Sequence, residues 1–156
     1  MVDIIKPPSM LCILGGGQLG RFFVISAKKM GYKVTVLDPD KNSPAGRIAD
    51  IHLCASYKDT SALDSIKKTC VAVTTEFENI PATTLEYLET DLIVRPSSKA
   101  VSVVQNRIHE KAFFMDNKFP VSPFVVISDI ESLALVTKDI YPAILKIAQF
   151  GYDGKG

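Results

Sequence analysis

Short apolar runs alternate with stretches of helical period from Met10 to Ser97. The run from Met10 to Leu14 is too short for a helix and ends in Gly15, Gly16 and Gly17, so it predicts a buried strand that leaves through a glycine turn. Beyond the turn, Leu19, Phe22, Phe23, Ser26, Ala27 and Met30 recur at helical spacing and Gly31 closes the pattern. This predicts a helix with that face inward. Lys33 to Leu37 is the next strand, followed by the Asp38-Pro39-Asp40 turn. Strand, glycine turn, helix and strand form the βαβ unit of a parallel sheet, with a right-handed crossover expected.

After the polar loop from Asn42 to Arg47, Ile51 to Cys54 predicts a short third strand. Asp59 is placed to cap a helix carrying Ala62, Leu63 and Ile66 on its apolar side. The β-branched run Val71 to Thr75 predicts a fourth strand. Pro81 suits the first turn of a helix through Leu85 and Leu88, and Leu92 to Val94 a fifth strand. After an extension over residues 1–9, residues 10–97 therefore predict a Rossmann-like α/β domain, a mainly parallel sheet in three αβα layers.

From Ser98 the pattern changes. Val101, Val104, Ile108 and Ala112 have helical spacing, interrupted at Asn106-Arg107, and the prolines at 120 and 123 break it. Phe124 to Ile127 predicts a strand, Asp129 caps a helix through Ile130, Leu133 and Ala134, and Tyr141 to Lys146 predicts a strand ending on a lysine. Residues 98–156 thus predict the opening of a second domain. It is too short to bury a good core alone, so it is expected to lean on the first domain or on further residues.

Composition narrows the class. Of 156 residues 47% are hydrophobic, enough for a real core, while a net charge of +1 gives no footprint for nucleic acid or an anionic membrane. No apolar run approaches the roughly 20 residues of a membrane-spanning helix, and residues 1–9 lack a signal-peptide core. A soluble, cytoplasmic protein is expected. Cys12, Cys54 and Cys70 have no metal-ligand spacing and read as buried free thiols in a reducing compartment. His52 and His109 are isolated, and no metal ligand is predicted among these residues.

Four places carry candidate chemistry. Gly15 to Gly20 matches G-x-G-x-x-G between a strand and a helix, where backbone amides and the helix dipole favour an anion; the alternative is helix–sheet packing alone. Asp38 stands where a dinucleotide fold holds ribose hydroxyls, which keeps an NAD(P)-dependent oxidoreductase open beside a plain turn. Glu76 and Glu78 follow a strand at its carboxyl end and would face one side if the strand continued. There they would accept hydrogen bonds from an amine or hydroxyl, unless they are simply surface acids. Lys146, followed by Gly151, Tyr152, Asp153, Gly154, Lys155 and Gly156, suggests an ammonium and a mobile glycine loop over phosphates, against a surface hairpin as the bland reading.

Taken in order, Ile13 to Gly20, Leu37 to Asp40, Thr75 to Ile80, Asn106 to Lys111 and Gly151 to Gly156 resemble the N5-carboxyaminoimidazole ribonucleotide synthetase family. These proteins are the ATPase subunit of phosphoribosylaminoimidazole carboxylase in purine biosynthesis. The resemblance runs from about Met10 to Gly156 and implies a pre-ATP-grasp domain followed by the start of an ATP-grasp domain. It implies a ligase in which ATP phosphorylates bicarbonate, and the resulting carboxyphosphate carboxylates the exocyclic amine of 5-aminoimidazole ribonucleotide. By resemblance Arg107 and Lys146 contact ATP, Gly151 to Gly156 cover its phosphates, and Tyr152 and Asp153 approach the ribonucleotide or bicarbonate. Gly17, Gln18, Leu19, Glu76 and Glu78 line the ribonucleotide cleft on the same grounds.

The resemblance also implies a homodimer and Mg²⁺, with the metal ligands, adenine pocket and ribonucleotide-phosphate residues beyond these positions. Ala148-Gln149-Phe150 departs from the basic or glycine residues that members often carry before the loop. The 156-residue chain is accordingly expected to lack synthetase activity by itself. A non-catalytic nucleotide-binding module remains an alternative beside the oxidoreductase.

Overall fold

The computed structural model describes residues 4–151. Five strands, β1 (Met10–Leu14), β2 (Lys33–Leu37), β3 (Ile51–Leu53), β4 (Ala72–Thr75) and β5 (Ile93–Val94), form one sheet in the order β3-β2-β1-β4-β5. Every pairing is parallel; Leu14 lies opposite Leu37 of β2 and Thr75 of β4. The Rossmann-like α/β domain expected from the alternation is therefore present, with β1 at its centre.

Side chains of β1 alternate between two cores because successive residues of a strand point to opposite faces. Ile13 joins Val34, Val36, Val24 and Ala27 under helix α1 (Gln18–Lys29). Cys12 and Leu14 join Ile66 of α2 (Thr60–Thr69) and Leu85 and Leu88 of α3 (Ala82–Glu89). Each such aliphatic side chain taken fully from water contributes about 1.5–3 kcal/mol. Asp59 caps α2 as expected, accepting the Ala62 N–H at 2.8 Å, and Pro81 stands at the N-cap of α3.

The inward face of α1 differs from the expectation. Gly20, Val24 and Ala27 are buried, whereas Leu19, Phe22 and Met30 are more than half exposed. The cause is Gly20: a Cβ there would lie 2.6 Å from the Gly15 carbonyl oxygen. A bare backbone allows the helix to sit against the turn, and that contact fixes which stripe faces the sheet. The cysteine reading also needs correction, since Cys12 and Cys70 are buried but Cys54 is exposed. Its short strand stops at Leu53, leaving Cys54 in the loop beyond.

The chain divides into two compact units, one up to Ser102 and one from Val103. Helix α4 (Ser98–Val104) spans that boundary, and its Val101 belongs to the first core. In the second unit, Asn106 caps α5 (Arg107–Asp116) by accepting the Ile108 N–H at 2.8 Å. This explains the interruption at Asn106-Arg107. Asp129 and Ser132 form a reciprocal capping box on α6 (Ile130–Ala134), and a 3₁₀ turn covers Lys138–Ile140.

The two strands expected in this unit are not formed. Phe124 to Ile127 and Tyr141 to Lys146 have no ladder partner among the described residues, and Ile144 and Leu145 are about four-fifths exposed. An apolar run becomes a strand only when another strand takes its amides and carbonyls. No described residue of this unit is buried, although Phe114 meets Phe113 and Phe119 edge-on at 6.0 and 5.9 Å.

Candidate functional site

The order β3-β2-β1-β4-β5 makes β1 and β4 the neighbours at which the sheet reverses direction of growth. In an open parallel sheet, ligands bind outside the carboxyl ends of the strands at this switch. Three loops leave there, each beginning as an extension of the ladder. Gly15 N–H donates to the Leu37 carbonyl at 3.0 Å, Asp38 N–H to Leu53 at 3.1 Å and Glu76 N–H to Leu14 at 2.9 Å.

The glycine turn is built for close approach by acid side chains. Gly15 has φ +105°, a conformation that strains any residue with a Cβ, and Gly17 would set a Cβ 2.5 Å from Glu76 Oε1. Into the space so left comes the Glu76 carboxylate. Its Oε2 accepts the Gly17 N–H at 2.5 Å and its Oε1 accepts the Leu19 N–H at 3.0 Å. Helix α1 has no acidic residue in its first turn, and its N-cap residue, Gly17, has no side chain to cap it, so Glu76 supplies the negative charge its N-terminus favours.

Asp38 serves the same turn from β2. Its Oδ2 accepts the Gly16 N–H at 2.7 Å and the Tyr57 O–H at 3.0 Å, and its Oδ1 accepts the Asp40 N–H at 2.8 Å. Tyr57 lies half-buried, its ring edge-on to Phe77 at 6.0 Å and its carbonyl accepting the Thr84 hydroxyl at 2.9 Å. Burial, with the charges of Asp38 and Glu76 beside it, pushes the phenol well above its ordinary pKa, so it remains a donor at neutral pH.

Of the ribonucleotide-cleft residues named from sequence, Gly17, Leu19 and Glu76 are thus brought into direct contact. Gln18 is the exposed first residue of α1. Glu78 lies exposed in the turn after β4, which ends at Thr75, so the pair does not continue along a strand face as the spacing suggested. In the second unit, the Arg107 guanidinium donates to the Gly151 carbonyl at 3.3 Å, and its own N–H donates to Ala148 at 2.9 Å. Lys146 is exposed, outside any strand. Tyr152, Asp153, Gly154, Lys155 and Gly156 lie outside the described residues.

Two readings lose their basis in this geometry. The anion seat at the start of α1 is filled by the chain's own carboxylate, and Asp38 faces the glycine turn in place of a ribose. The dinucleotide fingerprint therefore lacks both its phosphate seat and its free acid. Tyr57 was not singled out by sequence; a lone tyrosine in a polar loop carries no motif, and only the fold sets it beside Asp38. Among the described residues no group of three or more His, Cys, Asp or Glu is arranged to hold a metal, and no helix is long and apolar enough to cross a membrane.

A parallel sheet whose switch point joins a glycine turn to an acid following the neighbouring strand is an α/β domain of the Rossmann-like class. The chain belongs to the ribonucleotide synthetase pre-ATP-grasp domain family, which it matches over residues 9–105. It is 38% identical, over 99% of its length, to the N5-carboxyaminoimidazole ribonucleotide synthase of Bacillus subtilis, and covers 41% of that protein. It is 37% identical, over 98% of its length, to the bifunctional purine synthesis protein purC/E of Dictyostelium discoideum, covering 15% of it.

Among solved structures, an ADP complex of N5-carboxyaminoimidazole ribonucleotide synthetase matches all of this chain with TM-score 0.93 and 41% identity, and the match spans 42% of that protein. The Aspergillus clavatus synthase in complex with ADP and 5-aminoimidazole ribonucleotide matches 83% of this chain and 35% of its own, with TM-score 0.73 and 34% identity. The chain thus spans about two-fifths of the bacterial relative's length.

Proposed function

We propose that this chain is the amino-terminal part of an ATP-dependent carbon–nitrogen ligase of purine biosynthesis. The ligase would convert 5-aminoimidazole ribonucleotide, bicarbonate and ATP to N5-carboxyaminoimidazole ribonucleotide, ADP and phosphate. The observation that carries the reading is the match of the whole chain, at TM-score 0.93, to an ADP-bound synthetase of that name. In this reading residues 10–97 are the pre-ATP-grasp domain and 98–156 begin the ATP-grasp domain.

The first unit supplies an acceptor at the switch point. Glu76 is oriented by two backbone amides, and a carboxylate so held keeps lone pairs for a further donor, such as the exocyclic amine of the aminoimidazole. Gly17, Gln18, Leu19 and Glu78 line the same cleft. Arg107 and Lys146 serve ATP, with Gly151 to Gly156 as the cover over its phosphates and Tyr152 and Asp153 facing the second substrate. Such a cover would protect carboxyphosphate from water, and the cations would offset charge on the transferring phosphoryl group. Mg²⁺ would be held by residues outside those described; Asp38 and Glu76 are committed to backbone donors and do not form a metal set. The protein is proposed to act in the cytoplasm as a homodimer.

The test is ADP release by the full-length gene product, dependent on both aminoimidazole ribonucleotide and bicarbonate. Lys146→Ala in that protein should weaken apparent ATP affinity at least tenfold, the loss of about one charge-assisted contact. ADP release that ignores the ribonucleotide would refute the proposal. The 156-residue chain assayed alone is expected to release none.

A further inference from the structure

The glycine turn presents several backbone donors in a row, and two carboxylates reach for them. Asp38 holds Gly16, while Glu76 holds Gly17 and Leu19. What keeps the division fixed is the state of Asp38. Its two oxygens receive three donors, and one of these, the Tyr57 hydroxyl, shares Oδ2 with the Gly16 amide.

Tyr57 is itself well placed to hold that geometry. Its backbone is tied to α3 through the Thr84 hydroxyl, and Thr84 is buried. Its ring packs on Phe77, the residue next to Glu76. A single phenol thus touches the loops after β2 and β4 and, through Asp38, the turn after β1.

Building on the proposed function, we propose that Tyr57 is a positioning residue for the ribonucleotide-facing carboxylate. By locking Asp38 onto Gly16, it leaves the Gly17 and Leu19 amides to Glu76 alone and sets the angle at which Glu76 meets its ligand. Without the hydroxyl, Asp38 gains freedom to turn, the glycine turn shifts, and Glu76 loses its fixed orientation. Tyr57 does not touch the reacting atoms in this scheme and takes no part in phosphoryl transfer.

The test has two arms. In the ¹⁵N-labelled 156-residue chain, Tyr57→Phe should move the amide resonances of Gly17 and Leu19 as well as that of Gly16. In the full-length gene product, Tyr57→Phe should raise KM for aminoimidazole ribonucleotide about tenfold, the equivalent of one net hydrogen bond, with kcat and the ATP KM within about twofold of the parent. Asp38→Asn should reproduce both effects.

Tyr87→Phe is the control, because it removes a comparable phenol–carboxylate bond, to Asp64, on the exposed surface between α2 and α3. It should change neither reading. The proposal is overturned if Tyr57→Phe leaves the Gly17 and Leu19 amides unmoved, if it lowers thermal stability with every KM unchanged, or if Tyr87→Phe produces the same KM change. Should the parent protein turn over no aminoimidazole ribonucleotide, the proposed function falls, and the amide arm alone decides whether Tyr57 sets the turn.

Discussion

Glu76 caps the amide of Gly17 across 59 positions of sequence, its Oε2 lying 2.5 Å from that nitrogen. The same carboxylate reaches the Leu19 N–H through its other oxygen. A cap of this kind joins strand β4 to the start of α1 at the carboxyl edge of the sheet. It also places a charged acceptor where a dinucleotide fold would place a phosphate.

Removing that acceptor should be felt in stability first. Glu76→Ala deletes both bonds and the charge at the helix N-terminus, and is expected to cost about 1–2 kcal/mol, the range of a lost N-cap. Glu76→Gln keeps one acceptor oxygen and should cost roughly half as much. Urea unfolding followed by circular dichroism measures both, and an unchanged midpoint for Glu76→Ala would show that the cap contributes nothing.

Two glycines should respond differently to a methyl group. At Gly20 the added Cβ meets a backbone oxygen at 2.6 Å, which can yield only if α1 lifts from the sheet. Gly20→Ala is expected to destabilise by about 2–4 kcal/mol. At Gly17 the obstacle is the end of the Glu76 side chain, which can rotate away. Gly17→Ala should cost less stability than Gly20→Ala yet shift the Leu19 amide resonance strongly.

Acid should weaken the first unit through two surface carboxylates. The Val34 N–H at 2.8 Å holds Asp50 below its usual pKa against the opposing effect of burial, and the Lys28 ammonium at 3.2 Å lowers it further. The Ser98 hydroxyl and then the Ser98 amide do the same for Glu89. Both groups have a lower pKa folded than unfolded, so their stabilisation is present above the unfolded values of about 4 and is lost as pH falls through the folded ones. Asp50→Asn with Glu89→Gln should therefore lose less stability between pH 7 and pH 3 than the parent, read from urea midpoints at each pH.

Thiol labelling should distinguish the cysteines. Cys54 is exposed, whereas Cys12 and Cys70 sit in the core and burial pushes the Cys12 thiol well above its ordinary pKa. Iodoacetamide at pH 8 should modify Cys54 in minutes and the other two only after unfolding, as peptide mass spectrometry would report. Equal labelling of Cys12 in the native protein would contradict its burial.

The elements whose causes are local were readable in the chain. Asp59 and Asp129 mark helix starts because a cap is a matter of three neighbouring residues, and Met10 to Leu14 with Lys33 to Leu37 reads as strand because both runs are short and mainly apolar. The buried face of α1 was misread because Phe22 and Leu19 are more hydrophobic than Gly20, while packing is decided by which residue leaves room. The runs at Phe124 and Tyr141 carry strand composition but have no partner among the described residues, and pairing is a property of two segments. At the site, Glu76 was visible as an acid at a strand end. Its grip on Gly17 and the presence of Tyr57 beside Asp38 depend on three loops meeting, which no single stretch records.

Capping from so far along the chain has a consequence for how the first unit opens. A helix closed by its own first turn can fray and re-form independently of its neighbours. The amides of Gly17 and Leu19 are instead freed either by rotation of the Glu76 side chain or by withdrawal of β4 from β1, which carries Glu76 with it. Comparing their hydrogen exchange with that of the central ladder therefore separates local release of the carboxylate from cooperative opening of the sheet, making the start of α1 a reporter on both.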